Sequence, residues 1–243
     1  NVYFSNLKKF DGKKLRRLNL YEIGQISGRA GRYLNDGTFG ITGECDQISP
    51  EEVELLENHK FDEIKTLFWR NSVLNFNNSE SLLKSLDEKP KKDWLRKINE
   101  CEDEKVLKYL LKNNKEIILN TNSYNLKLLW ESCQIPDFVK KTYGHHIEVV
   151  TKVFKFLTSK NGKISNNYMK EQLSNLDKID GNVDSISNRI ANVRTWSYVS
   201  NKSNWVENQD YWVERTKYLE DKLSDRLHEE LTKSFIDKRA SVL

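Results

Sequence analysis

Five residues in one short stretch, QISGRAGR, have the types and spacing to act on a phosphate: Gln25, Gly28, Arg29, Gly31 and Arg32. A guanidinium is permanently protonated and presents a planar fork of donors, which matches phosphate oxygens. An arginine aimed at a γ-phosphate neutralises charge that builds during phosphoryl transfer, an effect on the order of 10³–10⁵ in rate. Glycines at the third and sixth steps after Gln25 let the backbone turn sharply and come close to a partner. The glutamine amide can orient a water or bond a phosphate oxygen. Five fixed positions over a chain of this length arise by chance with a frequency on the order of 10⁻⁴. The plain alternative is a glycine-rich helix end whose arginines cap carbonyls and meet solvent.

The elements that would hold these residues can be read on either side. Asn19 is a helix start, and Glu22 stands three residues on, the spacing of a capping box. Leu20, Ile23 and Ile26 follow helical spacing, and Gly28 and Gly31 should end that helix. Val2–Leu7 (VYFSNL) reads as a strand, and so does TFGITGE after the turn signal Asn35-Asp36-Gly37. Between the first strand and the helix lies a basic segment, KKFDGKKLRRLN, read as a loop. Its Lys8, Lys9, Lys13, Lys14, Arg16 and Arg17 are candidates for contact with a nucleic-acid backbone. A solvated surface loop is the equal alternative.

From Ser49 the texture changes. Ser49-Pro50-Glu51-Glu52 combines a cap, a proline at the first helical position and a glutamate at the third. Helices are expected near 50–58, 79–88, 102–113, 123–133, 144–159, 165–177, 182–200 and 209–237. The last carries Leu219, Leu223, Leu227, Leu231 and Phe235 on one face, a core seam. Trp196, Tyr198, Trp205, Tyr211 and Trp212, interleaved with Arg194 and Lys202, could stack on unpaired bases, but aromatics at helical spacing are more often core. His145, His146, His59 and His228 show no metal-ligand spacing; His228-Glu229 begins an HExxH but Thr232 breaks it.

The totals fit a soluble chain with a real core. It has 243 residues, 31% of them charged, a net charge of +4 and a mean hydropathy of -0.75. No apolar run approaches the ~18 residues of a membrane span, so no membrane partner is expected. Cys45, Cys101 and Cys133 are too scattered for a disulfide framework or a zinc site, which points to a reducing, cytoplasmic-type compartment. The chain starts at Asn1 and its one methionine is Met169, which reads as a piece of something longer. The expected fold class is therefore mainly α. Residues 1–48 form a small α/β remnant, and 49–243 a helical region with a sub-boundary near 140–144.

QISGRAGR resembles motif VI of superfamily 2 helicases, Q-x-x-G-R-x-G-R. The wider stretch LKKFDGKKLRRLNLYEIGQISGRAGRYLNDGTFG resembles the mitochondrial degradosome RNA helicases of the suppressor-of-Var type, and more closely their bacterial MgpS-like relatives. CQIPDF, RTWSYV and LSDRLHEELTKSFIDKR are also similar to the bacterial branch. The resemblance implies that residues 1–48 are the C-terminal part of a second RecA-like domain, in a bacterial cytoplasmic protein. It implies Arg29 and Arg32 as arginine fingers, Gln25 at the γ-phosphate or attacking water, and Gly28 and Gly31 shaping the loop. ATP and Mg would be the cofactors of the full-length parent. Single-stranded RNA would be its substrate, with DNA the alternative, and an exoribonuclease a partner.

The chain departs from that family in one decisive way. It has no P-loop: Gly12-Lys13 and Gly162-Lys163 lack both the upstream glycine and the following Ser/Thr. It has no DExH box either, since Asp62-Glu63-Ile64 is followed by Lys65. The expectation is a helicase C-terminal piece that is inactive alone and holds no cofactor by itself. The competing expectation is a helical nucleic-acid-binding or protein-docking module with no enzymatic role.

Overall fold

The structure is a computed structural model that describes residues 1–10, 14–31, 35–114, 117 and 122–240, with the side chains of Phe10 and 234–240 outside that description. It is mainly helical, with 53% of the described residues in helix and a few short strands. The chain divides into two compact units, Asn1–Leu67 and Phe68–Leu243.

The first unit is a small α/β arrangement. Strand β1 (Val2–Phe4) pairs in parallel with β4 (Phe39–Ile41), in the register Val2↔Phe39, Tyr3↔Gly40 and Phe4↔Ile41. Parallel strands need a crossover, and here the crossover carries helix α1 (Leu20–Ser27). The basic segment is a hairpin rather than a loop: β2 (Lys8–Phe10) pairs antiparallel with β3 (Leu15–Arg17). The Leu18 amide closes its base by donating to the Leu7 carbonyl at 2.6 Å.

Helix α2 (Pro50–Glu57) completes this unit. Its Ser49 hydroxyl accepts from the Glu52 amide at 3.2 Å, and the Glu52 carboxylate accepts from the Ser49 amide at 3.0 Å. This is the capping box that the sequence spells. Leu56 of α2 is buried with Phe4, Leu7 and Ile23 in one small core. That burial carries α2 into the first unit and moves the division from residue 48 to Leu67.

In the second unit, strand β5 (Leu67–Trp69) begins on the boundary and pairs with β6 (Leu95–Lys97). Among the described residues seven helices follow: α3 (Ser79–Asp87), α4 (Glu102–Asn113), α5 (Ser123–Cys133), α6 (Tyr143–Leu157), α7 (Asn166–Ser174), α8 (Val183–Ser200) and α9 (Gln209–Ala240). Each helix expected between residues 50 and 237 is present. Most begin at a side chain that accepts a third-position amide: Asn78 from Ser81, Asn122 from Asn125, Thr142 from His145, Ser165 from Tyr168 and Asn182 from Ser185. Each such cap stabilises its helix by about 1 kcal/mol.

One apolar cluster runs through these helices, from Leu82 in α3 to Leu223 in α9. Leu129 of α5 and Val150 of α6 both belong to it, so no division falls at 140–144. Helix α9 is 32 residues long, about 48 Å at the usual rise. Its leucine seam is graded: Leu219 and Leu223 are fully buried, Leu227 is partly buried, and Leu231 is 46% exposed. All six tryptophans, Trp69, Trp94, Trp130, Trp196, Trp205 and Trp212, lie in the second unit.

Candidate functional site

Residues 25–31 of this stretch sit on the last turn of α1 and the turn that follows. Gln25 is exposed on the helix, Gly28 caps it, and Arg29 is exposed one turn beyond Gln25. The amides of Gly28, Arg29 and Ala30 donate back to Gly24, Ile26 and Ser27, at 2.9, 3.2 and 2.9 Å. Beyond the cap the chain therefore continues in tight turns to Ala30, and Gly28 itself is not left-handed. Gly28 has φ of -62°.

The glycine requirement lies one step later. A Cβ on Gly31 would stand 2.8 Å from the Asn35 carbonyl oxygen, and one on Gly37 would stand 2.2 Å from the Ala30 carbonyl carbon. Two backbone segments touch here, which only glycine permits. The Arg29 guanidinium forms no ion pair or hydrogen bond with the described residues. Arg32 and Lys13 lie outside the described residues.

A concavity of about 910 Å³ opens beside α1, with Gln25, Gly28, Phe39, Leu56 and Phe61 in its wall. The expected set is thus divided. Gln25 and Gly28 face this hollow, whereas Arg29 is not among its lining residues.

The basic hairpin is tied to carboxylates of its own unit. Glu22, 8% exposed, receives both terminal nitrogens of Arg16 at 2.7 and 3.0 Å, the ammonium of Lys9, and the Asn19 amide at 2.8 Å. These partners, Arg16 first, hold the Glu22 carboxyl far below the usual carboxylate range. Arg17 makes a second bidentate pair, with Glu52 at 2.6 and 2.9 Å. That pair raises the Arg17 pKa and lowers that of Glu52. Lys8 meets Asp46 at 3.2 Å, and Lys14 has a partner as well. Of the proposed backbone-contact cations, Lys8, Lys9, Arg16 and Arg17 therefore already serve as internal clamps. Sequence spacing hid this, because Glu52 is 35 residues from Arg17. Glu22 was visible only as a capping residue.

The aromatic group of the second unit is sorted by burial. Trp196, Trp205 and Trp212 are core, at 3, 4 and 5% exposure, while Tyr211 is 57% exposed. Lys202 lies over the rings of Tyr198 and Trp205 at 5.1 and 5.8 Å, and Arg194 is paired with Glu220 at 2.7 Å. His146 is buried and His145 exposed; desolvation lowers the His146 pKa. Among the described residues, no group of three or more His, Cys, Asp or Glu could hold a metal ion. No helix among them is long and apolar enough to cross a membrane.

Compared with family models, with curated proteins and with solved structures, the chain matches none of them significantly.

Proposed function

We propose that this chain is the C-terminal part of an ATP-dependent RNA helicase of superfamily 2 and supplies a motif VI arginine finger. The observation that carries this reading is the state of Arg29. It is an exposed guanidinium with no partner among the described residues, one turn from Gln25, just past the end of the helix that crosses between two parallel strands. Neighbouring basic residues are neutralised by Glu22, Glu52 and Asp46. Arg29 is left available to an outside phosphate, as an arginine supplied in trans must be.

ATP with Mg, held on the parent's phosphate-binding loop, would supply the phosphoryl group. The contribution of this chain is to present charge. Arg29 would stabilise the negative charge that spreads over the transferring group, and Gln25 would orient a donor or water beside it. The close contact of Gly37 with Ala30 fixes the turn that carries Arg29. Arg32 is the second finger in this reading.

The test is RNA-stimulated ATP hydrolysis by the full-length parent, wild type beside Arg29→Ala. The expected result is a loss on the order of 10³ in turnover. Equal turnover in the two proteins would sink the finger assignment. The second reading, a helical nucleic-acid-binding module without enzymatic role, is favoured by one feature of the second unit, the open ring of Tyr211.

A further inference from the structure

At the junction of α7 and α9 the second unit has a hollow of about 520 Å³ whose wall includes Asn167, Lys170, Asn208, Tyr211, Trp212 and Arg215. Its chemistry is unusual for a surface of this chain. Tyr211 is 57% exposed, yet its ring is set edge-on against buried Trp212, with centroids 4.8 Å apart and planes at 77°. Trp212 is itself anchored, its indole N–H donating to the Asn166 side chain at 2.8 Å. The exposed ring is therefore a fixed platform.

Three polar side chains around it are free, and Arg215 is engaged, lying 5.5 Å from the Tyr218 ring centre. Lys170 forms no ion pair among the described residues, and the side-chain amides of Asn167 and Asn208 form no hydrogen bond among them. Arg215 gives one nitrogen to Asp177 at 2.6 Å. Asp177 is the carboxylate in the wall, and it is also engaged by Lys222 at 2.7 Å.

We propose that this hollow binds one unpaired nucleotide of single-stranded RNA, with the base stacked on Tyr211 and the phosphate held by Lys170. A fixed open ring offers a face to any base. Two unused amides, each with donors and an acceptor, suit a base edge or a ribose hydroxyl. An acidic peptide would use Lys170 but leave the ring and both amides without a role. The site lies in the second unit, apart from the residues of the finger reading, and rests on that reading only for the choice of RNA over DNA.

The test is binding of a labelled 12-nucleotide oligouridylate to the full 243-residue chain, followed by anisotropy over a salt series. Tyr211→Ala should weaken binding roughly 5- to 150-fold, the range for loss of one stacked base, and Tyr211→Phe should bind as wild type does. Lys170→Ala should make the slope of log K against log salt shallower by about 0.7. Tyr124→Ala, at a tyrosine 69% exposed elsewhere, should change nothing.

Unaltered binding by Tyr211→Ala would overturn the proposal, as would failure of the chain to bind the oligonucleotide. Equal competition by duplex RNA or by uridine monophosphate would also overturn it, in favour of a shape reader or a free-nucleotide site. Equal binding of the DNA oligonucleotide would overturn the assignment to RNA. None of these outcomes touches the Arg29 hydrolysis experiment, so the two readings fail separately.

Discussion

Arg16 holds Glu22 by both terminal nitrogens, at 2.7 and 3.0 Å, while the same carboxylate caps α1 through the Asn19 amide. One side chain thus joins the basic hairpin to the helix that carries Gln25 and leads into Arg29.

The first prediction concerns acid. The Glu22 carboxyl is held below its ordinary range by Arg16, Lys9 and the Asn19 amide. A depressed carboxylate pKa gives stability that is fully present above the unfolded value of about 4.3. That stability is lost as pH falls through the lower folded value. Protection factors of the α1 amides, taken against the intrinsic exchange rate at each pH, should therefore fall progressively below about pH 4. Glu22→Gln should cost the first unit about 1–3 kcal/mol at neutral pH and flatten that acid limb. An unchanged acid profile in the variant would remove Glu22 as its cause.

A second prediction concerns the turn under Arg29. Gly37→Ala places a methyl 2.2 Å from backbone of Ala30, which cannot yield cheaply. It should destabilise the first unit by about 1–3 kcal/mol and shift the amide resonances of Arg29 and Ala30. Gly43→Ala, with nothing within 4 Å of the new carbon, is the matched control and should leave both resonances in place.

Arg70 provides the third. It forks onto Asp103 at 2.9 and 3.0 Å, meets Glu104 at 3.1 Å and lies 5.0 Å from the Trp130 ring centre. A lysine cannot reproduce a planar fork over a ring. Arg70→Lys should lower the stability of the second unit by about 1–3 kcal/mol, read as a lower urea midpoint by circular dichroism. A midpoint equal to wild type would show that only charge matters there.

Gln209 supports a fourth. Its side-chain amide donates to the carbonyls of Ser200 and Lys202 at 3.0 and 3.2 Å and accepts from the Asn204 amide at 3.2 Å. It ties together the connection between α8 and α9. Gln209→Ala should cost about 1–3 kcal/mol in the same urea experiment. It should also speed amide exchange across 201–208 before the helices themselves open.

Helix starts were legible because caps are local: Ser49-Pro50-Glu51-Glu52 names its own helix in four letters. Strands β5 and β6 were missed because each is three residues long, too short to show a period. The hairpin β2–β3 leaves little trace in the sequence because Lys8-Lys9 and Arg16-Arg17 carry no β-propensity signal. Gln25, Gly28 and Arg29 could be picked out by spacing alone. What surrounds them could not, since the carboxylates that take up the other cations come from distant positions. The aromatic group was ambiguous for a related reason. Tyr211 and Trp212 are adjacent, and periodicity does not say which of two neighbours faces the core.

The placement of the six tryptophans has a spectroscopic consequence. All lie beyond Leu67, so indole emission is blind to the first unit. A melting curve recorded that way would be smooth and single even after the turn carrying Arg29 had come apart. Among the described residues of the first unit, the tyrosines Tyr3 and Tyr21 are exposed and would change little on opening. An indole placed beside Phe4 or Ile23 would give the silent unit a signal of its own, and the two halves of the chain could then be watched in separate colours.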